Sequence, residues 1–186
     1  MNGAQDLGEV FTPEEIVSEM LNNVEETLTA TGSKVLEPAC GNGNFLVSIL
    51  LRKLNGFKSR ELTHGDYEFG LMEALTSIYA VDISEENVIE ARTRLESMSI
   101  SFLEEIGSQN VSYLLSSIRS ILLSNVVQGD SIFEADKVLF VDYQPIGNRS
   151  FSRQHFYLEE PEIDLFYVAP EPLEPISFLD LGTVET

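Results

Sequence analysis

The sequence has few of the residues on which disulfide-stapled and metal-dependent proteins rely. Its 186 residues include one Cys, two His and no Trp. A single Cys excludes an internal disulfide framework and a Cys-based zinc site, and we expect no metal site. No apolar run approaches the roughly 20 residues of a membrane helix, and the first residues lack the basic and apolar regions of a signal peptide. We therefore expect a cytoplasmic protein that has no membrane partner.

Basic residues are also scarce. The chain has 11 Lys+Arg against 31 Asp+Glu, a formal net charge of −20, and no Lys or Arg occurs before Lys34 or after Arg153. The negative surface that this composition predicts repels phosphate backbones, so the chain by itself should bind DNA or RNA poorly. Three interpretations stay open: simple solubility, a basic protein partner, or mimicry of the charge of a nucleic acid.

Strand and helix patterns alternate through the first three-quarters of the chain. The segments KVLEP, SIYAVD, NVVQGD and KVLFVD are typical of buried strands, and helices are expected near residues 45–54, 84–98 and 111–123. This alternation predicts a parallel α/β sheet. Short β-like runs after residue 150 predict either an antiparallel edge or an arm that binds a partner.

Two further segments carry helix predictions. Residues 12–28 (TPEEIVSEMLNNVEETL) predict one helix, with Thr12 as N-cap, Pro13 in the first turn and Glu15 completing a capping box. The apolar residues of its expected core face are Ile16, Val17, Met20, Leu21, Val24 and Leu28. Residues 55–76, in contrast, are expected to form a polar connection with a short helix near its end.

A glycine-containing loop follows the first predicted strand. The run LEPACGNGNF (residues 36–45) places Gly41 and Gly43 between a strand and a helix, the arrangement of a nucleotide-binding crossover. Without a Cβ, both positions allow a sharp turn and close approach of a ligand. Leu46 replaces the third glycine of the dinucleotide fingerprint, which argues against a pyrophosphate. Glu37, at the end of the strand, suits a cationic group such as an amine.

Acidic residues also follow the next two predicted strands. Asp82 can accept hydrogen bonds from both hydroxyls of a ribose, and Ile83 beside it can lie against an adenine ring. Asp130 can accept a hydrogen bond from the exocyclic amine of adenine. An amine, a ribose and an adenine along the carboxyl ends of three strands describe S-adenosylmethionine, which we predict as the cofactor.

Four motifs together resemble one enzyme family. EPACGNGNF is similar to the first motif of class I S-adenosylmethionine-dependent methyltransferases, and its Pro-Ala-Cys-Gly core is most similar to the adenine-specific DNA methyltransferases of restriction–modification systems. GEVFTP (residues 8–13), YAVDIS and QGDS resemble the other cofactor motifs of those enzymes, so the likeness covers about residues 8–130. It implies an α/β fold with a Rossmann-like methyltransferase sheet and flanking helices over residues 1–150. Residues 151–186 would form an acidic extension of the same domain, with short β-strands or a partner-binding role.

The resemblance also implies cofactor roles for individual residues. In the upstream segment, Phe11, Thr12 and Pro13 would cover the methionyl group. Asp82 and Ile83 would hold the ribose and the adenine, and Asp130 the adenine amine. The amino-acid end of the cofactor would be lined by Glu37, Ala39, Cys40, Gly41 and Gly43.

One motif of the family is missing. Amino-methylating enzymes carry [Asn/Asp]-Pro-Pro-[Tyr/Phe] after the fourth strand, where it binds the target amine and stacks on the flipped base. The corresponding place here reads Asp142-Tyr143-Gln144-Pro145. Asp142, Tyr143 and Pro145 are therefore the catalytic candidates. Loss of the chemistry, completion by another chain and a divergent catalytic loop all stay open.

The residues after Ser150 are too few and too acidic to read bases, so we expect DNA contacts to come through a partner subunit. Two functions follow from these features. The first is methylation of the adenine amino group in DNA, by this chain or by an assembly of which it is a subunit. The second is a catalytically inactive methyltransferase-like binding protein, such as an antirestriction, DNA-mimic or regulatory factor. Methylation of a small molecule or a protein by the same fold is a third possibility.

Overall fold

The structure, a computed structural model, describes residues 12–30, 32–58, 62–160, 171 and 173–183. Within them the helices are α1 (Glu14–Asn22), α2 (Glu25–Thr29), α3 (Asn44–Lys58), α4 (His64–Thr76), α5 (Glu85–Glu105) and α6 (Val111–Asn125). The strands are β1 (Val35–Glu37), β2 (Ile78–Asp82), β3 (Val126–Gln128), β4 (Leu139–Pro145), β5 (Ser150–Tyr157) and β6 (Leu173–Ser177). Short 3-10 helices span Ala135–Lys137 and Leu181–Thr183.

The first sheet is parallel, as the alternation of strands and helices predicts. Its order is β1-β2-β3, with Val35 opposite Ile78 and Ala80 opposite Val126. Every residue of β2 is buried, because this central strand is covered on both faces. Parallel strands end at the same edge, so the loops after β1, β2 and β3 are brought together at the carboxyl edge of this sheet.

The fourth predicted strand does not join the parallel sheet. β4 pairs antiparallel with β5, and β5 pairs antiparallel with β6, which forms a second sheet of order β4-β5-β6. The two small sheets replace the single Rossmann-like sheet that we expected, while the short β-strands of the C-terminal part are confirmed. A local turn explains the pairing. Gly147, Asn148 and Arg149 all have positive φ, and the turn is closed by the Ile146 amide, which donates to the Ser150 carbonyl, and by the Ser150 amide, which donates to the Gly147 carbonyl.

The second sheet packs against one face of the first. The Tyr79 ring lies 5.5 Å from the Phe140 ring and 5.3 Å from the Phe156 ring, measured between centroids. The opposite face of β2, formed by Ile78 and Ala80, belongs to the main core with helix residues such as Leu46, Leu95 and Ile118. The parallel sheet is thus covered by helices on one side and by the antiparallel sheet on the other.

The N-terminal helix prediction was partly wrong. α1 begins at Glu14 with Pro13 at the N-cap and no side-chain cap, so Thr12 forms no capping box. The helix ends at Asn22, and α2 begins only at Glu25; the pair Asn22-Asn23 has low helix propensity, which favours a break there. Of the predicted core face, Val17, Leu21 and Leu28 are buried, whereas Ile16, Met20 and Val24 are exposed.

The connection predicted for residues 55–76 contains a full helix instead. α4 begins after Thr63, whose side chain accepts a hydrogen bond from the Asp66 amide while the Asp66 carboxylate accepts one from the Thr63 amide. Leu71, Met72 and Leu75 of this helix enter the core. The Thr-x-x-Asp capping box was the sequence signal for this helix. None of the helices in the part of the chain that the structure describes has the length and apolarity needed to cross a bilayer.

Candidate functional site

The loop between β1 and α3 is held by the neighbouring strand. The Gly41 amide donates a 2.7 Å hydrogen bond to the Asp82 carboxylate, and the Cys40 amide donates to the Val81 carbonyl at 2.9 Å. Gly41 and Gly43 have φ of 51° and 87°, values that favour glycine. The glycine loop therefore turns at the carboxyl edge of the parallel sheet, as the sequence predicts.

Gly43 makes room for a helix. A Cβ at this position would lie 3.0 Å from the Cβ of Ala91 on α5, closer than normal packing allows. Gly43 is buried, and its amide donates to the Cys40 carbonyl. The close approach that this glycine permits is therefore between the loop and α5, and the structure assigns Gly43 a packing role that the sequence did not suggest.

Arg94 of α5 also holds the glycine loop in place through hydrogen bonds. Its guanidinium donates 2.8 Å hydrogen bonds to the Asn42 carbonyl and to Asn44 Oδ1. The other end of the Asn44 amide donates to the Thr12 carbonyl at 2.9 Å. The segment before α1 is thereby tied to the glycine loop. Sequence reasoning missed Arg94 and Asn44, because they are separated by 50 positions and no local pattern relates them.

A small cavity opens where these parts meet. It has a volume of about 170 Å³, and its lining includes five of the residues predicted for the amino-acid end of the cofactor and the segment that covers it: Thr12, Glu37, Ala39, Cys40 and Gly41. Asn42, Asn44 and Phe45 complete the lining. The structure therefore brings Thr12 and the loop residues together. Phe11 lies outside the described residues, and Pro13 is exposed at the start of α1.

The cavity presents hydrogen-bond acceptors. Burial raises the pKa of the Glu37 carboxyl, and a hydrogen bond from the Ala39 amide acts in the opposite direction. Asn42 Oδ1 is buried and has no hydrogen-bond partner, while the Asn42 amide nitrogen donates to Glu90. Because this oxygen has almost no accessible surface, it is not an open contact for a ligand, whereas Glu37 lines the cavity and supplies a carboxyl acceptor.

Cys40 has the environment of a packed residue. Its side chain is buried, and burial together with the negative charges of Asp82 and Glu37 raises the pKa of the thiol to about 12. A thiol with such a pKa stays protonated at neutral pH and is a poor nucleophile. Cys40 therefore contributes volume to the loop.

The Asp82 carboxylate already accepts hydrogen bonds from neighbouring groups of the protein. Asp82 is 7% exposed, and its carboxylate accepts hydrogen bonds from the amides of Gly41 and Ser84 and from Asn87 Nδ2. These bonds join β2, the glycine loop and the first turn of α5. A carboxylate has about four acceptor positions, so little capacity is left for a ribose. The predicted ribose contact stays a prediction.

Exposed apolar side chains lie beside the loop after β3. Ile83 is 61% exposed, and Ile132 and Phe133 are 78% and 85% exposed. Asp130 Oδ1 accepts hydrogen bonds from the amides of Ile132 and Phe133, which lower the pKa of this carboxyl and shape the turn. Sequence reasoning missed Ile132 and Phe133, although two apolar residues directly after a strand-ending Gly-Asp-Ser were a readable signal.

The loop after β3 is also joined to the glycine loop. Ser131 Oγ donates a 2.7 Å hydrogen bond to the Pro38 carbonyl. From the other side, Gln128 Nε2 donates to the Ile83 carbonyl at 3.1 Å. The loops after all three parallel strands are therefore connected at one edge of the sheet.

The predicted catalytic residues lie elsewhere. Asp142 accepts hydrogen bonds from Lys34, which precedes β1, and from the Tyr79 hydroxyl. Lys34 directly precedes Val35, the first residue of β1, which pairs with Ile78, the first residue of β2. Asp142 therefore lies toward the amino edge of the parallel sheet, whereas the glycine loop follows the carboxyl end of β1. Tyr143 is buried with its hydroxyl against Ser124, and Pro145 is exposed at the end of β4. The structure does not bring Asp142, Tyr143 and Pro145 to the glycine loop.

Comparison with known proteins gives one match. Residues 1–68 match the family model of the N-6 DNA methylases. No curated protein and no solved structure matches the chain. The matched region contains the segment before α1, β1, the glycine loop and α3, and it includes all of the described residues that line the cavity. The match supports a relationship to DNA methyltransferases.

Proposed function

We propose that this chain binds S-adenosylmethionine at the cavity of the glycine loop and serves the methylation of adenine amino groups in DNA. The observation that carries the proposal is the convergence of Thr12, Glu37 and the glycine loop on one cavity. The match of residues 1–68 to the N-6 DNA methylases supports the substrate class. When bound, the cofactor supplies a methyl group that is activated by attachment to a positively charged sulfur.

The acceptors of the cavity fit the amino-acid end of this cofactor. An ammonium group has three donors, and the cavity offers the Glu37 carboxylate as their acceptor. At about 170 Å³ the cavity is smaller than the 300 Å³ or more usual for complete ligands. We therefore assign to it the methionyl part, and we assign the adenosyl part to the exposed strip formed by Ile83, Ile132 and Phe133.

None of the residues predicted to accept the protons of the target amine lies beside the cofactor cavity. Asp142 is bound to Lys34 and Tyr79 at the other edge of the parallel sheet, which disfavours the Asp142-Tyr143-Gln144-Pro145 segment in this role. The net charge of −20 also makes unaided DNA binding unfavourable. Both features favour a subunit that holds the cofactor while a partner contributes the DNA contacts and the groups around the target base.

Calorimetric titration with S-adenosylmethionine tests the cofactor site. Wild type should bind, and Glu37→Gln should bind about 10- to 100-fold more weakly, because it replaces a charge-assisted hydrogen bond by a neutral one. Glu104→Gln changes an exposed carboxylate on α5 in the same way and should bind like wild type. Absence of binding by wild type, or equal affinity of the Glu37 and Glu104 variants, contradicts the proposal.

A second function is favoured by the same placement of Asp142 and by the acidic surface. In it the chain binds the cofactor or a methyltransferase subunit without transferring a methyl group, as an antirestriction, DNA-mimic or regulatory factor. Transfer of a labelled methyl group to duplex DNA, measured with and without a basic partner, separates the two. Transfer that depends on the chain supports the first function; a basic partner that DNA displaces, without any transfer, supports the second.

A further inference from the structure

A larger cavity lies at the opposite edge of the parallel sheet. Its volume is about 410 Å³, within the range of small-molecule sites. Residues before β1, the second half of α3, the last turn of α4 and the end of β4 line it, and Phe57, Ala74, Tyr143 and Pro145 make part of the lining apolar. It shares none of the residues that line the cavity of the glycine loop.

This cavity contains a buried ammonium group. Lys53 of α3 is 9% exposed, and its Nζ donates to the Ser33 carbonyl at 2.8 Å and to Ser33 Oγ at 3.0 Å. Lys53 takes part in none of the ion pairs found among the described residues. Lysines are seldom so buried without an anionic partner. Burial accordingly lowers the pKa of Lys53 to about 8.

Two other charged side chains, those of Lys34 and Glu73, line the cavity. Neither of them offers an anion a positive charge that is free of a carboxylate partner. Lys34 is paired with Asp142. Glu73 of α4 is partly buried, and burial raises the pKa of its carboxyl, so this side chain accepts a proton more readily than an exposed glutamate. The cavity thus combines apolar walls, the partly buried carboxyl of Glu73 and one buried ammonium, that of Lys53, which has no carboxylate partner among the ion pairs of the described residues.

We propose that this cavity binds a small organic carboxylate, with the carboxylate on Lys53 and the apolar body against Phe57 and Tyr143. A carboxylate is favoured over a phosphate ester by charge. Only one buried ammonium lines the described part of the cavity, and the carboxyl-terminal end of α4 at Ser77, which also lines it, carries a partial negative charge. A singly charged anion meets less repulsion there than a dianion. The proposal is independent of the function proposed above, because it uses the other edge of the sheet.

NMR titration of the ¹⁵N-labelled protein at pH 7 tests the proposal with three probes: benzoate, benzamide and phenyl phosphate. Benzoate should shift amide signals around the cavity and bind at least tenfold more tightly than benzamide, its neutral analogue. Its affinity should fall as the pH rises through about 8, the pKa of Lys53, whereas that of benzamide should not. Equal affinity for benzoate and benzamide, tighter binding of phenyl phosphate, or shifts confined to other surfaces would overturn the assignment.

Two test variants and one control variant separate the effect of the Lys53 charge from the effect of the cavity's shape. Lys53→Met should remove the preference for benzoate, and Lys58→Met, a change of an exposed lysine on the same helix, should keep it. Gly56→Leu should weaken both ligands while retaining Lys53, because a Cβ there has no heavy atom within 4 Å and the longer side chain would fill the cavity from α3. If Lys53→Met does not fold, the Gly56 variant decides: unchanged binding of benzoate contradicts the proposal.

Discussion

At the scale of single residues, a junction of polar side chains holds the two sheets together. The Asp142 carboxylate of β4 accepts hydrogen bonds from Lys34 Nζ, from the Tyr79 hydroxyl and from Gln144 Nε2. Burial by itself would raise the pKa of Asp142, but the hydrogen bonds from Lys34, Gln144 and Tyr79 and the charge of Lys34 outweigh it and lower the pKa. The same residue that the sequence offered as a catalytic candidate thus serves the packing of the second sheet on the first.

The junction predicts a pH-dependent contribution to stability. A carboxyl with a lower pKa in the folded state stabilises the fold above its unfolded pKa of about 3.9, and that contribution is lost as the pH falls through the folded value. Lys34→Met should therefore lower the free energy of unfolding at pH 7 by about 1 kcal/mol or less, since the pair is partly screened by solvent. Urea unfolding at a series of pH values should show the difference from wild type disappearing in acid.

A neighbouring ion pair provides the control for that experiment. Lys137 and Glu134 form an exposed pair on one short segment, so Lys137→Met should change stability little at any pH. If the loss of unfolding free energy in Lys34→Met stays the same at every pH down to the acid transition, the Asp142 charge is not its cause. The loss would then come from the missing packing of the lysine side chain.

At the scale of elements, the glycine loop and α5 form one unit. Gly43 lets the loop lie against Ala91, Arg94 clamps Asn42 and Asn44, and Asp82 connects Gly41 to the start of the helix. The cavity that we assign to the cofactor is therefore shaped by contacts between elements that are distant in sequence. Disturbing the loop–helix contact should affect both stability and cofactor binding.

Gly43→Ala tests this unit, with Gly32→Ala as its matched control. Both glycines have positive φ, 87° at Gly43 and 75° at Gly32, but an added Cβ at Gly32 meets nothing within 4 Å. Gly32→Ala should cost about 1 kcal/mol of backbone strain, and Gly43→Ala about 3 kcal/mol, because the clash with Ala91 adds to the strain. Equal losses for the two variants in urea unfolding would show that the loop adapts without the helix contact.

At the scale of the whole molecule, charge is the dominant property. With 31 Asp+Glu and 11 Lys+Arg, the folded chain repels itself at neutral pH, and the ion pairs found among its described residues neutralise only a fraction of the acidic groups. Salt screens such repulsion. The same surplus of negative charge underlies our proposal that a basic partner, and not the isolated chain, contacts DNA.

Thermal unfolding at different ionic strengths measures this repulsion. Raising NaCl from about 0.02 M to about 0.5 M at pH 7 should stabilise the protein by about 1 kcal/mol, or about 2–4 °C in Tm. Near pH 4.2, the isoelectric point expected from the sequence, the same addition should have a much smaller effect in dilute solution. An equal effect at both pH values would mean that salt acts by a route other than screening net charge.

The sequence by itself determined the local elements with strong signals. The strand–glycine loop–helix unit, the helices α5 and α6 and the strand that ends in Asp82 all follow from period and turn chemistry within short windows. The capping box of α4 and the Gly147 turn were equally local and were overlooked. The convergence of Thr12 on the loop and Glu37 was also expected, but only because the resemblance to the DNA methyltransferases implies it.

Only the tertiary structure decided how the strands are shared between sheets and what the polar residues do. The hydrophobic pattern of KVLFVD predicts a buried strand, and it is the same whether that strand pairs with β1 or with β5. The hairpin turn at Gly147 brings β5 next to this strand, so it pairs there and not in the parallel sheet. Asp82 and Asp142 are carboxylates after or within buried strands, and nothing local distinguishes a ligand contact from a structural one. Their roles depend on which donors reach them, among them the Gly41 amide for Asp82 and the Tyr79 hydroxyl for Asp142, and these two donors come from distant parts of the chain.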